Sequence, residues 1–281
     1  MRPNQWYKNL IVFVGITFSL NLFTFSMWVD AILAFICFCL LSGSEYIIND
    51  ILDIETDRHH PVKSNRPITL GALKRSHAIL LSVILIAIAL ALAYFINLEF
   101  FSICVVFFLW TFAYSFRLKH IIIVDAVAIS INFAIRAISG CLAINVPVSP
   151  WIVVCSFLLA LLLVFGKRRH ELILLGDNAL YHRKTLVSYS AEILEQMISI
   201  ATCALIMAYS MYTFLTGNLV MMITIPVVIY SILRYVFLIH AERIGGVPEM
   251  LFKDKGMVLS IILWVLMCAV ILYGIPNLIS G

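Results

Sequence analysis

The sequence predicts an all-α, polytopic membrane protein with nine transmembrane helices around a central cleft. Three observations predict it. Of 281 residues, 63% are hydrophobic and only 12% are charged, whereas a soluble domain carries about 25% charged residues. Apolar stretches close to the ~20 residues needed to cross a bilayer recur along the whole length. Lysine and arginine crowd into one alternate set of the connections between those stretches.

The apolar spans run over about 10–27, 30–49, 77–96, 98–115, 121–143, 149–167, 192–214, 219–239 and 257–275. The N-terminus and the connections after spans 2, 4, 6 and 8 are polar, and the other turns are short. Seventeen of the nineteen Lys and Arg residues lie in the polar set and none in the short turns; Arg136 and Arg234 are inside spans. The positive-inside rule puts the N-terminus and the polar loops in the cytoplasm and, with an odd number of spans, the C-terminus outside. The expectation is an integral protein of the cell membrane. No basic start followed by a short apolar run and small residues is present, so no cleaved signal peptide is expected. No connection is long enough for an added soluble domain, so 1–281 reads as a single transmembrane catalytic domain. The seven cysteines (Cys37, Cys39, Cys104, Cys141, Cys155, Cys203 and Cys268) all sit in apolar runs and read as packing residues. The net charge of +4 is mild and its distribution is topogenic. Membrane lipids are the expected surroundings, and no nucleic-acid partner is expected.

The chemistry concentrates in residues 44–68, where an apolar run turns suddenly polar. Asn49, Asp50, Asp53 and Asp57 fall at helical spacings and project from one side of a helix over about two turns. Like charges one turn apart repel, and a divalent cation compensates. Hard oxygen ligands with no cysteine nearby point to Mg2+, which completes its shell with water and substrate phosphate. Arg58, Lys63, Arg66 and Lys74 follow at once. Carboxylates, a metal and bases together describe a site for a diphosphate. A solvated acidic helix end followed by a basic loop is the bland alternative, but the acids begin inside a membrane-length segment. Glu45 lies one turn before Asn49 on the same face. Asp125 and Arg136 share a face of span 5 about 16 Å apart, too far to pair directly. Intramembrane polar residues such as these and Arg234 mark functional sites, with a buried ion pair or snorkelling as the competing reading for each.

The other cytoplasmic segments repeat a cation-rich theme: Arg2 to Asn9, Tyr114 to His120, Gly166 to Leu172 and Tyr181 to Tyr189. Topology alone demands basic loops; their company with the acidic helix argues for a site. Asn49-Asp50-x-x-Asp53-x-x-x-Asp57 resembles the first aspartate-rich motif of the UbiA superfamily of intramembrane prenyltransferases. Four further stretches resemble the decaprenyl-phosphate phosphoribosyltransferase branch: Arg2-Pro-x-Gln-Trp-x-Lys8-Asn9, Asp57-Arg58-x-His60-Pro61-x-Lys63-x-x-Arg66-Pro67-Ile68, Gly166-Lys167-Arg168-Arg169-x-Glu171-Leu172 and His182-Arg183-Lys184. They span residues 2–190, and spans 8 and 9 fit more loosely.

The resemblance implies a UbiA-type fold and Mg2+-dependent transfer of a 5-phosphoribosyl group from phosphoribosyl pyrophosphate to a polyprenyl phosphate, releasing diphosphate. It implies Asn49, Asp50, Asp53 and Asp57 as metal ligands, with Asp50, Asp53 and Glu171 catalytic. Lys8, Lys63, Arg66, Lys119, Arg136, Lys167, Arg168, Arg183 and Lys184 become phosphate binders, and Asn9, Glu45, Arg58 and His182 join the substrate-binding set. One departure matters. The superfamily's prenyltransferases carry a second Asp-x-x-x-Asp motif after span 6; here Glu171 and Asp177, six apart, stand among Lys167, Arg168, Arg169, Arg183 and Lys184. More cations and fewer metal ligands suit a donor with an additional phosphate. Two alternatives stay open: a prenyltransferase moving a prenyl group from a prenyl diphosphate to an aromatic or glycerol-phosphate acceptor, and a transporter for an anionic lipid. A transporter would carry internal repeats and paired broken helices, and the acidic motif has no partner in the second half.

Overall fold

The computed structural model describes residues 2–58, 63–175, 188–241 and 253–274. Among these residues every regular element is helical, and eight helices are long and apolar enough to cross a membrane. The chain is an integral membrane protein.

Its first span departs from expectation. Instead of an α-helix over 10–27, the chain forms a 3-10 helix, Pro3–Phe13, that runs into the short α1, Val14–Phe18. Leu20 then turns the chain at φ 62°. A 3-10 helix rises about 2.0 Å per residue against about 1.5 Å for an α-helix, so the two pieces together reach about 30 Å, the thickness of the hydrocarbon core. The segment is buried at Asn9, Val12 and Ile16. Its tight wind accompanies close backbone packing. A Cβ on Gly15 would stand 2.8 Å from the Cys141 amide nitrogen, and one on Gly140 would overlap the Val12 carbonyl. Among the described residues there are thus eight span-length helices, with the 3-10-led segment in the place of the expected first span.

The chain divides into two compact units, Met1–Val148 and Ser149–Gly281. In the first, α2 (Phe25–Leu52) packs on the N-terminal segment, on α4 (Arg75–Ile96), α5 (Leu98–Phe116) and α6 (Val124–Ala143). Lipid tails are as apolar as leucine, so these helices associate through close packing rather than hydrophobic transfer. Phe38 meets Phe107 edge-on at 4.9 Å and Phe100 at 6.1 Å, geometries worth about 0.5–1.5 kcal/mol each. Helix α6 is the central helix: 67% of its membrane-length window is buried. It is lined with small residues, among them Ala126, Ala128, Ser130, Ala134, Ala137, Ser139 and Gly140. Small side chains are what allow backbones to approach this closely.

Helix α2 runs on for 28 residues, about 42 Å, longer than the bilayer core. Asn49 and Asp50 lie in its last turn, where the apolar sequence gives way to polar residues. The helix stops at Asp53, whose φ −97° and ψ 10° leave the α-helical range, and α3 (Ile54–Arg58) begins afresh. The helical bonds nevertheless run through this kink, from the Asp53 amide to the Asn49 carbonyl at 2.9 Å and from the Asp57 amide to the Asp53 carbonyl at 2.8 Å.

In the second unit, α7 (Pro150–Leu175) packs along α8 (Ala191–Leu215), and α9 (Ile225–His240) packs on α10 (Lys255–Ala269). Tyr209 Oη lies 2.7 Å from Thr224 Oγ1 and accepts from Trp264 Nε1 at 2.8 Å. Arg234 is in an ion pair, gripping Asp254 with two bonds of 3.1 and 2.9 Å. Asp254 also caps α10 by accepting from the Met257 amide. The Arg234 hydrogen bond, with the capping bond behind it, holds the Asp254 carboxyl below the usual carboxylate range.

Candidate active site

At the polar end of α2 each aspartate meets a cation delivered by a different part of the first unit. Arg2, on the threshold of the 3-10 segment, bonds to Asp50 Oδ1 and lies over the Tyr46 ring at 5.0 Å. Arg66 bonds to Asp57 Oδ2, and its Nη1 stands 3.1 Å from Asp50 Oδ1. Lys119, on the turn between α5 and α6, places Nζ 2.8 Å from Asp53 Oδ1. Three carboxylates thus face three cations, and the like-charge repulsion built into the motif is relieved within the protein. The same turn carries Ile123 at φ 67°, a left-handed conformation that costs a β-branched residue on the order of 1–3 kcal/mol.

Access differs among the acids. The Asp53 side chain is 39% exposed, that of Asp50 13% and that of Asp57 3%. All the donors are hard oxygens, which fits Mg2+ held by one or two carboxylates with water and phosphate completing the shell. Among the described residues, however, no three His, Cys, Asp or Glu side chains gather to hold an ion. Asp50 and Asp57 stand on either side of one Arg66 nitrogen, and Asp53 turns to Lys119.

A second polar layer lies deeper in the same unit. Arg136 donates from Nε to Asn9 Oδ1 at 2.9 Å and from Nη1 to the Asn132 carbonyl at 3.2 Å, and it stacks over Phe107 at 4.7 Å. Asn9 donates to Ser42 Oγ at 3.2 Å. Glu45 accepts from Thr111 Oγ1. Asn9, Glu45 and Arg136 are thus engaged in bonds that tie the N-terminal segment and α2, α5 and α6 together. Asp125 is fully buried and accepts from the Ala126 amide at 2.9 Å.

The remaining candidates are scattered. Arg58 pairs with Glu55 at 3.1 Å on an exposed surface. Lys8 lies over the Tyr7 ring at 5.9 Å. In the second unit, Lys167 Nζ stands 3.6 Å from Glu171 Oε1 one turn on, and both are partly exposed. Arg168, by contrast, is 1% exposed and donates to Tyr189 Oη at 3.0 Å. Arg169 grips Glu195 at 3.1 and 2.7 Å. Asp177, His182, Arg183 and Lys184 lie outside the described residues, as does the Lys63 side chain. Sequence reasoning left Arg2 out of the candidates, although the Arg2-Pro-x-Gln-Trp stretch was its signal. Thr111, Tyr189 and Glu195 carried no signal, since each is defined by a partner on another segment.

The UbiA prenyltransferase family matches residues 10–253. The chain is 30% identical over 273 residues to a decaprenyl-phosphate phosphoribosyltransferase of Mycobacterium tuberculosis, covering 94% of this chain and 90% of that one. The protein of the same name from Corynebacterium glutamicum is 29% identical over 287 residues, covering 98% and 86%. A solved structure of a UbiA homolog from Archaeoglobus fulgidus bound to GPP and Mg2+ has the same fold. Its TM-score is 0.76 at 21% identity, with 96% of this chain and 97% of that chain covered. A family match over residues 10–253, with the same fold, means that this chain belongs to the UbiA prenyltransferase family and is a membrane-embedded transferase.

Proposed function

We propose that the protein transfers a 5-phosphoribosyl group from phosphoribosyl pyrophosphate to a polyprenyl phosphate, with Mg2+, releasing diphosphate. The observation that carries the choice of donor is at the end of α7. There Lys167 and Glu171 stand one turn apart, where the family's prenyltransferases carry a second pair of aspartates. The near full-length relatives bear the phosphoribosyltransferase name. A donor with three phosphates and two hydroxyls uses a cation and a hydrogen-bonding carboxylate; a prenyl diphosphate, with neither hydroxyls nor a third phosphate, leaves them unmatched.

In this reading Asp50 and Asp53, with Asn49 beside them, hold the metal. The metal, when bound, supplies electrophilic stabilisation of the departing diphosphate. Arg2, Arg66 and Lys119 neutralise the carboxylates in the absence of substrate; Arg2 and Lys119 exchange them for phosphate oxygens when the donor enters, and Arg66 meets the diphosphate while still held by Asp57. The three carboxylates are balanced by three cations; a metal held by Asp50 and Asp53 would release Arg2 and Lys119 to meet the donor's phosphates. A lipid phosphate oxygen forms the new bond to C1 as the C1–O bond to diphosphate breaks, and the bonding pair leaves with diphosphate. A phosphate monoester is already nucleophilic at neutral pH, so no side chain has to remove a proton. Asn9, Glu45 and Arg136 hold the walls in register, and the apolar helices take the isoprenoid. The whole chain serves as one catalytic domain in the plasma membrane, with the N-terminus and polar loops in the cytoplasm and the C-terminus outside.

A prenyl donor is the second reading, favoured by the fold shared with the GPP-bound homolog. Membranes containing the protein, given Mg2+, polyprenyl phosphate and either labelled phosphoribosyl pyrophosphate or labelled prenyl diphosphate, decide between them. Label from the former should enter the lipid extract with release of diphosphate. Incorporation only from prenyl diphosphate into an aromatic or glycerol-phosphate acceptor would overturn the proposal.

A further inference from the structure

Asp57 and Arg66 form the most enclosed ion pair at the end of α2. Asp57 is 2% exposed and its Oδ2 accepts from Arg66 Nη1. The same nitrogen stands 3.1 Å from Asp50 Oδ1, so one guanidinium joins two carboxylates. The backbone around Arg66 is itself anchored: its carbonyl accepts from the Leu70 amide at 2.8 Å, and Ile68 packs with Ile47, Ile51, Ala78 and Leu85. Asp53 is the most open of the three side chains, 39% exposed, and Asp57 the most enclosed, 3%. A metal ligated by Asp57 would have to displace the Arg66 guanidinium and leave that cation short of a countercharge.

Resting on the functional reading above, we propose that Asp57 is a positioning residue and not a metal ligand: it holds Arg66 beside Asp50, where the guanidinium meets the diphosphate. The motif's last aspartate then acts through a cation, while Asp50 and Asp53 act on the metal.

Purified full-length protein in lipid nanodiscs tests this through binding alone. Inorganic diphosphate, titrated calorimetrically at saturating Mg2+, reads the anion subsite. Mn2+, followed by electron paramagnetic resonance at saturating diphosphate, reads the metal. Asp57→Asn should weaken diphosphate binding about tenfold or more, the scale of a lost charged hydrogen bond, and leave Mn2+ affinity within about twofold. Arg66→Ala should give a similar loss, and the double variant should bind no worse than Arg66→Ala, because both changes remove one interaction. A tenfold loss of Mn2+ affinity in Asp57→Asn, or losses that simply add in the double variant, would overturn the proposal. If Asp57→Asn does not fold, Asp57→Glu carries the test: unchanged Mn2+ affinity supports the anchor, and a tenfold loss refutes it. Wild-type protein that binds inorganic diphosphate but not phosphoribosyl pyrophosphate would sink the functional reading and leave this test standing.

Discussion

Lys119 reaches Asp53 across 66 residues of chain, Nζ to Oδ1 at 2.8 Å, and occupies the most open carboxylate of the motif. Under the proposed function, lysine and metal would compete for this one carboxylate. Asp53→Ala should lower turnover by about 10²-fold or more, the scale of a lost electrostatic group at a reacting centre. Lys119→Ala should act with two signs: a higher KM for the donor, because a phosphate partner is gone, and a lower Mg2+ concentration for half-maximal rate, because Asp53 is released. Steady-state kinetics over a Mg2+ series checks both. An Asp53→Ala variant with full activity at ordinary Mg2+ excludes the site.

Gly140 is where α6 touches the N-terminal segment, and its missing Cβ makes room for the Val12 carbonyl. The obstacle is backbone, which cannot swing aside like a side-chain tip. Gly140→Ala should destabilise the protein by about 1–3 kcal/mol, the usual size of an overpacking strain, seen as earlier thermal unfolding in detergent. Because the same segment carries Arg2 and Asn9, donor KM should rise as well. Unchanged unfolding would mean that the segment does not pack as described.

Lys167 and Glu171 lie one turn apart on α7. Lys167→Ala should raise the apparent KM for phosphoribosyl pyrophosphate more than that for the lipid phosphate. Glu171→Gln should cut turnover, since it removes charge and keeps shape. If Lys167 only sets topology, both KM values stay within about twofold, below ~0.5 kcal/mol.

The distribution of Lys and Arg predicts orientation. In a background lacking the exposed Cys203, a cysteine at Asn65 should react with an impermeant maleimide only after the membrane is opened. One at Thr216, in an exposed turn, should react in intact cells. The reverse pattern would put the donor site in the wrong compartment.

Composition and spacing are local properties, and what depends on them alone was legible in the chain. The apolar runs set the membrane class, and the positions of the later spans follow the helices found. The Asn49 to Asp57 spacing and the basic segments mark the family and point to one end of α2 as the proposed chemical end. Periodicity says which face of a helix a residue occupies, but not what meets it there. The tertiary structure decided that Arg2, Arg66 and Lys119, not one another's neighbours in sequence, neutralise Asp50, Asp57 and Asp53. It also decided that Arg168 is buried against Tyr189 while Lys167 beside it stays partly exposed. The N-terminal span reads as an ordinary apolar helix and forms a 3-10 segment packed backbone to backbone against Gly140. Arg66 meets Asp57 over nine residues, Arg168 meets Tyr189 over 21, Arg2 meets Asp50 over 48 and Lys119 meets Asp53 over 66; a local pattern holds no record of a partner that only folding brings into reach.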